Sequence, residues 1–203
     1  MDSGYWDEKY STEEFVYTKL ENRFVVEFCS TLHGITAIDL AGGEGRNSVY
    51  LAKRGWQVEN IDFSQVALDK YMQFAKEENV QEKCSFSCAS ALDFVPKVSP
   101  VDLGVIAYLQ INQKDLKQAI IRLASNIKPG GHLFGVWHSR DNLTGGFGGP
   151  RDPEVLPDVS TITEALLGSN LEIKVLENRD GQIQTREGLK PSVTLVLLAQ
   201  VKL

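Results

Sequence analysis

Apolar positions along the chain fall into short runs separated by stripes at helical spacing. Thr36-Ala37-Ile38-Asp39-Leu40 reads as a strand, Ala41-Gly42-Gly43-Glu44-Gly45 as a tight turn, and Val49-Tyr50-Leu51-Ala52-Lys53-Arg54 as the helix that follows. A second apolar stretch, Val58 to Ile61, closes on Asp62. Ser64 then caps a helix whose stripe is Val66, Ala67, Leu68, Tyr71, Met72 and Ala75. Cys84 to Ala89 alternates as a third strand. Val101 to Tyr108 is a nearly continuous apolar fourth, as expected where helices cover both faces of a sheet. A helix from Gln113 to Asn126 comes next, Lys128-Pro129-Gly130-Gly131 stops it and reverses the chain, and His132 to His138 is the fifth strand.

Past His138 the pattern changes. Asp141 to Pro157 carries four glycines and three prolines with no apolar period, so residues 141–157 are expected as a long loop. A helix from Thr161 to Leu167 follows. Leu171 to Leu176 and Val193 to Ala199 then read as two strands joined by a polar turn around Asp180-Gly181. Alternation of strand and helix predicts an α/β fold, a doubly wound and mostly parallel sheet of seven strands with helices on both faces and an antiparallel final pair. At 203 residues, the chain (1–203) is expected to form one domain.

The chemistry concentrates where the first strands end. Glycines in the turn let backbone pass close to a ligand, and the helix that follows presents free amides to it. Asp62 falls where a ribose-binding carboxylate lies in nucleotide-binding α/β units. The dinucleotide pattern G-x-G-x-x-G is imperfect, because Ser48 stands at its third glycine. Asp39, Gly43 and Gly45 instead fit D-x-G-x-G-x-G and resemble the first motif of the class I S-adenosylmethionine-dependent methyltransferases. The run from Gly45 to Val58 resembles their small bacterial members of the tellurite-resistance and thiopurine type. Lys128-Pro129-Gly130-Gly131 ahead of the fifth strand fits the same family, and the match runs over nearly the whole chain. Ala41 stands where the family has its first glycine, so the turn is expected to keep a negative φ there or to lean on Gly42.

The resemblance implies S-adenosyl-L-methionine as cofactor and assigns residues to it. Asp39 would serve the methionine amino group. Ala41, Gly43, Gly45 and the amides of Arg46 and Asn47 would line the turn. Asp62 would take the ribose hydroxyls, and Phe63 would pack on the adenine. Ser90 and Ala91 would touch the adenine edge, and Ile106 would floor the site. Tyr17 and Asn22 fall in the segment that closes over the cofactor. The first thirty residues, with Tyr5, Trp6, Tyr10, Phe15 and Tyr17, are dense enough in aromatics to act as a lid or to seal the sheet's end. At the other edge Tyr108 and His138, ending strands four and five, are the catalytic candidates. Arg151, beyond the glycine-rich run 145–149, is a candidate for an anionic acceptor.

Other classes are disfavoured. A formal charge of −6 with scattered basic residues opposes binding to a nucleic acid backbone. Ile106-Ala107-Tyr108-Leu109 lacks the acid or Asn, Pro-Pro and aromatic of amino-group methylases, and no cysteine follows a proline as in cytosine-C5 enzymes. Cys29, Cys84 and Cys88 have neither disulfide nor metal spacing, and no acid follows strand four to complete a magnesium site, so no metal is expected. The acidic start lacks the regions of a signal peptide and no apolar run reaches membrane-spanning length, so a cytoplasmic protein without membrane association is expected. The expected activity is methyl transfer to a small molecule, a thiol, selenium or tellurium centre being suggested by the subfamily resemblance alone. A module that holds S-adenosylmethionine or S-adenosylhomocysteine without turnover is the alternative, and a nicotinamide-dependent oxidoreductase a weaker one. A monomer is the expected oligomeric state.

Overall fold

The computed structural model describes residues 3–185 and 187–203, so Met1 and Asp2 of the acidic start lie outside the described residues. Seven strands form one sheet: β1 (Thr36–Leu40), β2 (Gln57–Asp62), β3 (Cys84–Cys88), β4 (Val101–Ala107), β5 (Ile127–His138), β6 (Leu171–Thr185) and β7 (Gly188–Val201). Their spatial order is β3-β2-β1-β4-β5-β7-β6. The first five run parallel, and β7 pairs antiparallel with both β5 and β6. The order reverses between β1 and β4, which opens a crevice at the carboxyl ends of these strands.

Among the described residues six α-helices accompany the sheet: α1 (Ser3–Tyr10), α2 (Arg23–Cys29), α3 (Arg46–Lys53), α4 (Gln65–Glu77), α5 (Gln113–Ala124) and α6 (Val159–Leu166). Side-chain caps fix several starts. Ser64 Oγ accepts from the Ala67 amide (3.2 Å), Asn112 Oδ1 from Asp115 (2.9 Å) and Asp158 Oδ1 from Thr161 (2.8 Å). The strands divide their side chains between two faces. On one, Ile38, Ile106 and Trp137 join Leu116, Ile120 and Ile162 of α5 and α6. On the other, Leu103, Val105 and Phe134 meet Phe24 and Val25 of α2 and Leu51 of α3. None of the described helices is long and apolar enough to cross a membrane.

Three expectations need correction. No turn forms at Asp180-Gly181; both residues sit in the β6–β7 ladder, opposite Val193 and Ser192, and the described pairing continues to Thr185↔Gly188. Backbone groups alone carry a ladder, so polar side chains do not end it. Six pairs, from Asp180↔Val193 to Thr185↔Gly188, extend past His138↔Thr194, where β7 leaves β5. At about 3.3 Å per residue this is an arm of roughly 20 Å standing over the crevice edge. Second, β5 already begins at Ile127, so Lys128 to Gly131 lie within the strand and α5 stops at Ala124. Third, residues 141–157 are not featureless: single 3-10 turns span Arg140–Leu143 and Pro153–Val155.

The opposite end of the sheet, at the amino ends of its central strands, is fastened by Asp102 near the start of β4. Its Oδ2 accepts from the amides of Ile35 (2.9 Å) and Thr36 (3.0 Å) and from the Thr36 hydroxyl (3.1 Å), while Oδ1 pairs with Lys128. Burial works against the charge, but Lys128 and these donors outweigh it and bring the carboxyl pKa down to about 2. A folded-state pKa below the unfolded one gives stability that is present above the unfolded value and lost as pH falls through the folded value. Asp102→Asn should therefore cost about 2 kcal/mol at pH 7. Denaturant titrations of both chains should show that difference shrinking between about pH 4 and pH 2; a difference constant with pH would refute the assignment.

Candidate functional site

The crevice is built on the turn between β1 and α3. Gly43 (φ 55°) and Gly45 (φ 81°) both occupy the left-handed region. A side chain at Gly45 would run into the Tyr71 ring, so this position needs glycine twice over. Ala41 also has a positive φ of 55°, against the expectation of a negative φ or reliance on Gly42. Its amide is held by the Ile61 carbonyl at 2.6 Å, and neighbouring bonds fix the rest of the turn. Asn60 Nδ2 donates to the Gly43 carbonyl (3.0 Å), and the Gly43 amide donates to Asp62 Oδ2 (2.9 Å). Asp62 Oδ1 accepts from the Ser64 amide at 2.9 Å. The acid expected at the ribose thus also shapes the loop, and each oxygen retains capacity for a second donor.

Asp39 lies beneath this turn. Its Oδ2 accepts from the Ser48 hydroxyl at 2.7 Å, while Oδ1 is buried with no partner. Burial raises its pKa to about 6, although Ser48 and the Arg46 charge both pull it down. Asn60 Oδ1, on the adjacent strand, is likewise buried and unpartnered. Two acceptor oxygens without donors, one on a carboxylate, suit a cationic N–H group, as the ammonium of S-adenosylmethionine is. The serine that spoils the dinucleotide pattern is the residue that holds Asp39.

The amino-terminal segment is folded down onto this loop. Asp7 Oδ1 accepts from Ser64 Oγ (2.6 Å) at the start of α4. Tyr10 is buried, stacks on Trp6 (5.6 Å between centroids), and brings its hydroxyl to 2.9 Å from where a Gly43 Cβ would stand. Farther along, the Val16 amide donates to both carboxylate oxygens of Glu44 (3.1 Å each), and Glu44 pairs with Lys70 at 2.8 Å. The residue lying on the glycine loop is thus Tyr10. Tyr17, assigned there by resemblance, is 56% exposed, with its hydroxyl accepting from Lys9 (2.8 Å). Asn22 caps α2 through Oδ1, donates its own amide to Asn47 Oδ1 (2.9 Å), and extends Nδ2 to the Tyr108 hydroxyl (3.3 Å).

Tyr108 and His138 come together as the strand ends predict, with ring centroids 4.8 Å apart and planes tilted by 37°. Tyr108 has a φ of 62°, a conformation costing a non-glycine residue on the order of 1–2 kcal/mol. Gln110 connects the surroundings: its Oε1 accepts from the His138 amide (2.8 Å) and its Nε2 donates to the Val155 carbonyl (2.6 Å). Burial lowers the His138 pKa, and Nδ1 has no partner. The glycine-rich run 145–149 lies against this histidine, pinned by Asn142, whose Nδ2 donates to the Phe147 (3.2 Å) and Gly148 (2.8 Å) carbonyls. Ile183 of the β6–β7 arm reaches Gly148. Arg151 does not face the crevice as a free cation; its guanidinium donates to the Gly146 carbonyl at 3.0 Å.

The remaining assigned residues are more ordinary. Phe63 is half-buried at the end of β2. Ser90 Oγ accepts from the Leu92 amide, Ala91 packs against the core, and Ile106 is fully buried within it. Gln110 and Ile183 carry no site signal in the sequence, and Asn142 serves the loop carbonyls of Phe147 and Gly148. Only the aromatic character of Tyr10 gave a signal, since the roles of the others depend on partners brought in by the fold.

Residues 37–131 match the model of the methyltransferase domain family. Among curated proteins, the tRNA 5-carboxymethoxyuridine methyltransferase of Escherichia coli (strain K12) is 28% identical over 110 residues, 54% of this chain and 42% of the relative. The chain therefore matches less than half the length of that relative. Among solved structures, an S-adenosylmethionine-dependent methyltransferase of Methanosarcina mazei superposes with a TM-score of 0.68 at 18% identity, covering 91% of this chain and 99% of the other. TehB from Haemophilus influenzae gives 0.72 at 18% identity, covering 98% and 67%. The fold is that of the S-adenosylmethionine-dependent methyltransferases.

The buried Asp39 carboxylate makes a stability prediction. A raised folded pKa means that the cost of its charge sets in as pH rises from the unfolded value toward 6 and is fully present above it. Asp39→Asn keeps an acceptor for Ser48 and removes that cost, so the ligand-free variant should be about 3 kcal/mol more stable than wild type at pH 7. Thermal melts should show the gain vanishing below about pH 4. A variant less stable at pH 7 would contradict the geometry.

Proposed function

We propose that the chain is an S-adenosylmethionine-dependent methyltransferase acting on a small molecule. The observation that carries this reading is the unpartnered, buried Asp39 oxygen beneath a turn with three positive φ values. The methyltransferase fold and the family match over residues 37–131 support it. We read residues 1–203 as one working unit, with the amino-terminal segment as its lid and residues 141–157 bordering the acceptor edge. The proposed setting is the cytoplasm and the proposed oligomeric state a monomer.

When bound, S-adenosylmethionine supplies an electrophilic methyl group on a sulfonium. Asp39 would hold its ammonium, Asp62 its ribose hydroxyls, and the amides of Gly43 to Asn47 the backbone-facing side. Tyr10 and Trp6 of the lid exclude water from the glycine loop. Tyr108 and His138 offer adjoining ring faces at the acceptor edge. His138 is neutral near pH 7, because burial lowers its pKa, and it is able to accept a proton if the acceptor must lose one. Much of the rate would come from alignment in a site closed to water.

A tRNA acceptor, taken from the Escherichia coli relative, is the second reading. The formal charge of −6 argues against it, since a polyphosphate partner needs clustered cations. A thiol, selenium or tellurium acceptor rests on the tellurite-type resemblance of the run from Gly45 to Val58 alone.

Calorimetric titration with S-adenosylmethionine, S-adenosylhomocysteine and NAD tests the cofactor. The sulfonium cofactor and its product should bind and NAD should not; tighter binding of NAD would falsify the proposal. Asp62→Ala should weaken binding by about tenfold or more, since hydrogen bonds to a charged acceptor are worth roughly 1.5–3 kcal/mol. It should also loosen the glycine loop, which the Gly43 bond to Asp62 holds. On a verified acceptor, His138→Ala should lower kcat and alter the pH profile if the residue takes a proton, whereas Tyr108→Phe should chiefly raise KM. Normal turnover by both variants at every pH would leave alignment as the sole catalytic device and withdraw both residues.

A further inference from the structure

Arg46 is the first residue of α3, directly behind Gly45, and its side chain is half-buried. Its guanidinium carbon lies 5.9 Å from the centroid of the Tyr108 ring. Other cations around this edge are engaged: Lys70 with Glu44, Arg23 with the Asp180 carbonyl, Arg151 with the Gly146 carbonyl, and Arg179 with Glu27 and Glu177. Among the described residues Arg46 has no hydrogen bond or ion pair beyond this ring contact. Its charge is felt at Asp39 and at Tyr10, which places it where the glycine-loop end of the crevice meets the Tyr108–His138 end.

A guanidinium held against an aromatic face has given up part of its hydration and keeps five donors in a planar fork, matched to the two oxygens of a carboxylate. We propose that Arg46 receives a carboxylate of the methyl acceptor, so that the acceptors of this protein are carboxylate-bearing small molecules. The local charge selects a monoanion. Arg46 lies against the Tyr108 ring on one side and acts on the buried Asp39 carboxyl on the other, and a dianionic phosphate would need a second cation that the engaged neighbours do not supply. The Tyr108 and His138 rings provide a surface for the remainder of the acceptor. This inference rests on the methyltransferase reading.

A carboxylate beside Arg46 has two possible sources, the acceptor and the methionine end of the cofactor, and the test separates them. Wild type, Arg46→Met and Arg46→Lys are each titrated with S-adenosylhomocysteine. The loaded proteins are then titrated with benzoate and phenylacetate and with the neutral isosteres benzamide and phenylacetamide. Loaded wild type should prefer the acids by about tenfold or more, Arg46→Lys should keep part of the preference, and Arg46→Met, which retains the backbone amide that faces the cofactor, should lose it at saturating S-adenosylhomocysteine. Acids binding no better than amides to wild type, or a preference surviving in Arg46→Met, would overturn the proposal. So would a tenfold loss of S-adenosylhomocysteine affinity with the acid preference intact, which assigns Arg46 to the cofactor. Failure of wild type to bind S-adenosylhomocysteine would instead remove the methyltransferase reading, and the same acid and amide titrations of the unloaded protein would still decide Arg46. If Arg46→Met melts early, Arg46→Gln takes its place.

Discussion

A carboxylate oxygen buried without a donor is the constraint around which the ligand edge of this sheet is organised. Asp39 keeps one oxygen on Ser48 and leaves the other unmet. An isolated buried charge is costly, and here the cost appears as a carboxyl pushed up to about 6. The turn above it adds backbone strain at Ala41, where a side chain sits at a positive φ. A fold selected for stability alone would place an asparagine at 39 and a glycine at 41. Both features make sense if a cationic ligand completes the site.

The elements around this point read as enclosure. Tyr10 lies on Gly43, Asp7 joins the cap of α4, and the Glu44–Lys70 pair fastens the chain near Val16. On the far side the β6–β7 arm meets the glycine-rich run against His138. Asn22 reaches the Tyr108 hydroxyl from the amino-terminal side, and Gln110 joins the His138 amide to the Val155 carbonyl on the other. The Tyr108–His138 ring pair is thus held from both directions, which is what a reaction driven by alignment requires.

The sheet was legible in the sequence because its signals are local. Apolar runs of strand length, the Ser64 cap and the glycine turn each speak within a few residues, and they placed Asp39, Asp62, Tyr108 and His138 at strand ends. What stayed hidden depends on contacts between distant residues. The Asp7–Ser64 bond spans 57 positions and Asn22–Tyr108 spans 86, and no periodicity announces either. The β6–β7 arm was missed because Asp180-Gly181 is a strong turn signal, overridden by a ladder that register alone maintains. Ala41 misled for a related reason: intrinsic preference argues against a positive φ, and the Ile61 carbonyl and neighbouring loop bonds impose it. Arg151 looked like a free cation until the loop carbonyls that occupy it were in view.

In the function proposed above, Asp39, with its carboxyl pushed up to about 6 and one oxygen unmet, receives the cofactor's cation. Proton counting tests it most directly. S-adenosylhomocysteine is titrated calorimetrically in pairs of buffers with different ionisation enthalpies, at pH 6 and again at pH 7.5. With a free-state carboxyl near 6 that ionises beside a bound ammonium, about half a proton should be released per ligand at pH 6 and almost none at pH 7.5. Proton uptake at pH 6, or equal counts at the two pH values, would show that Asp39 does not receive the ligand's charge.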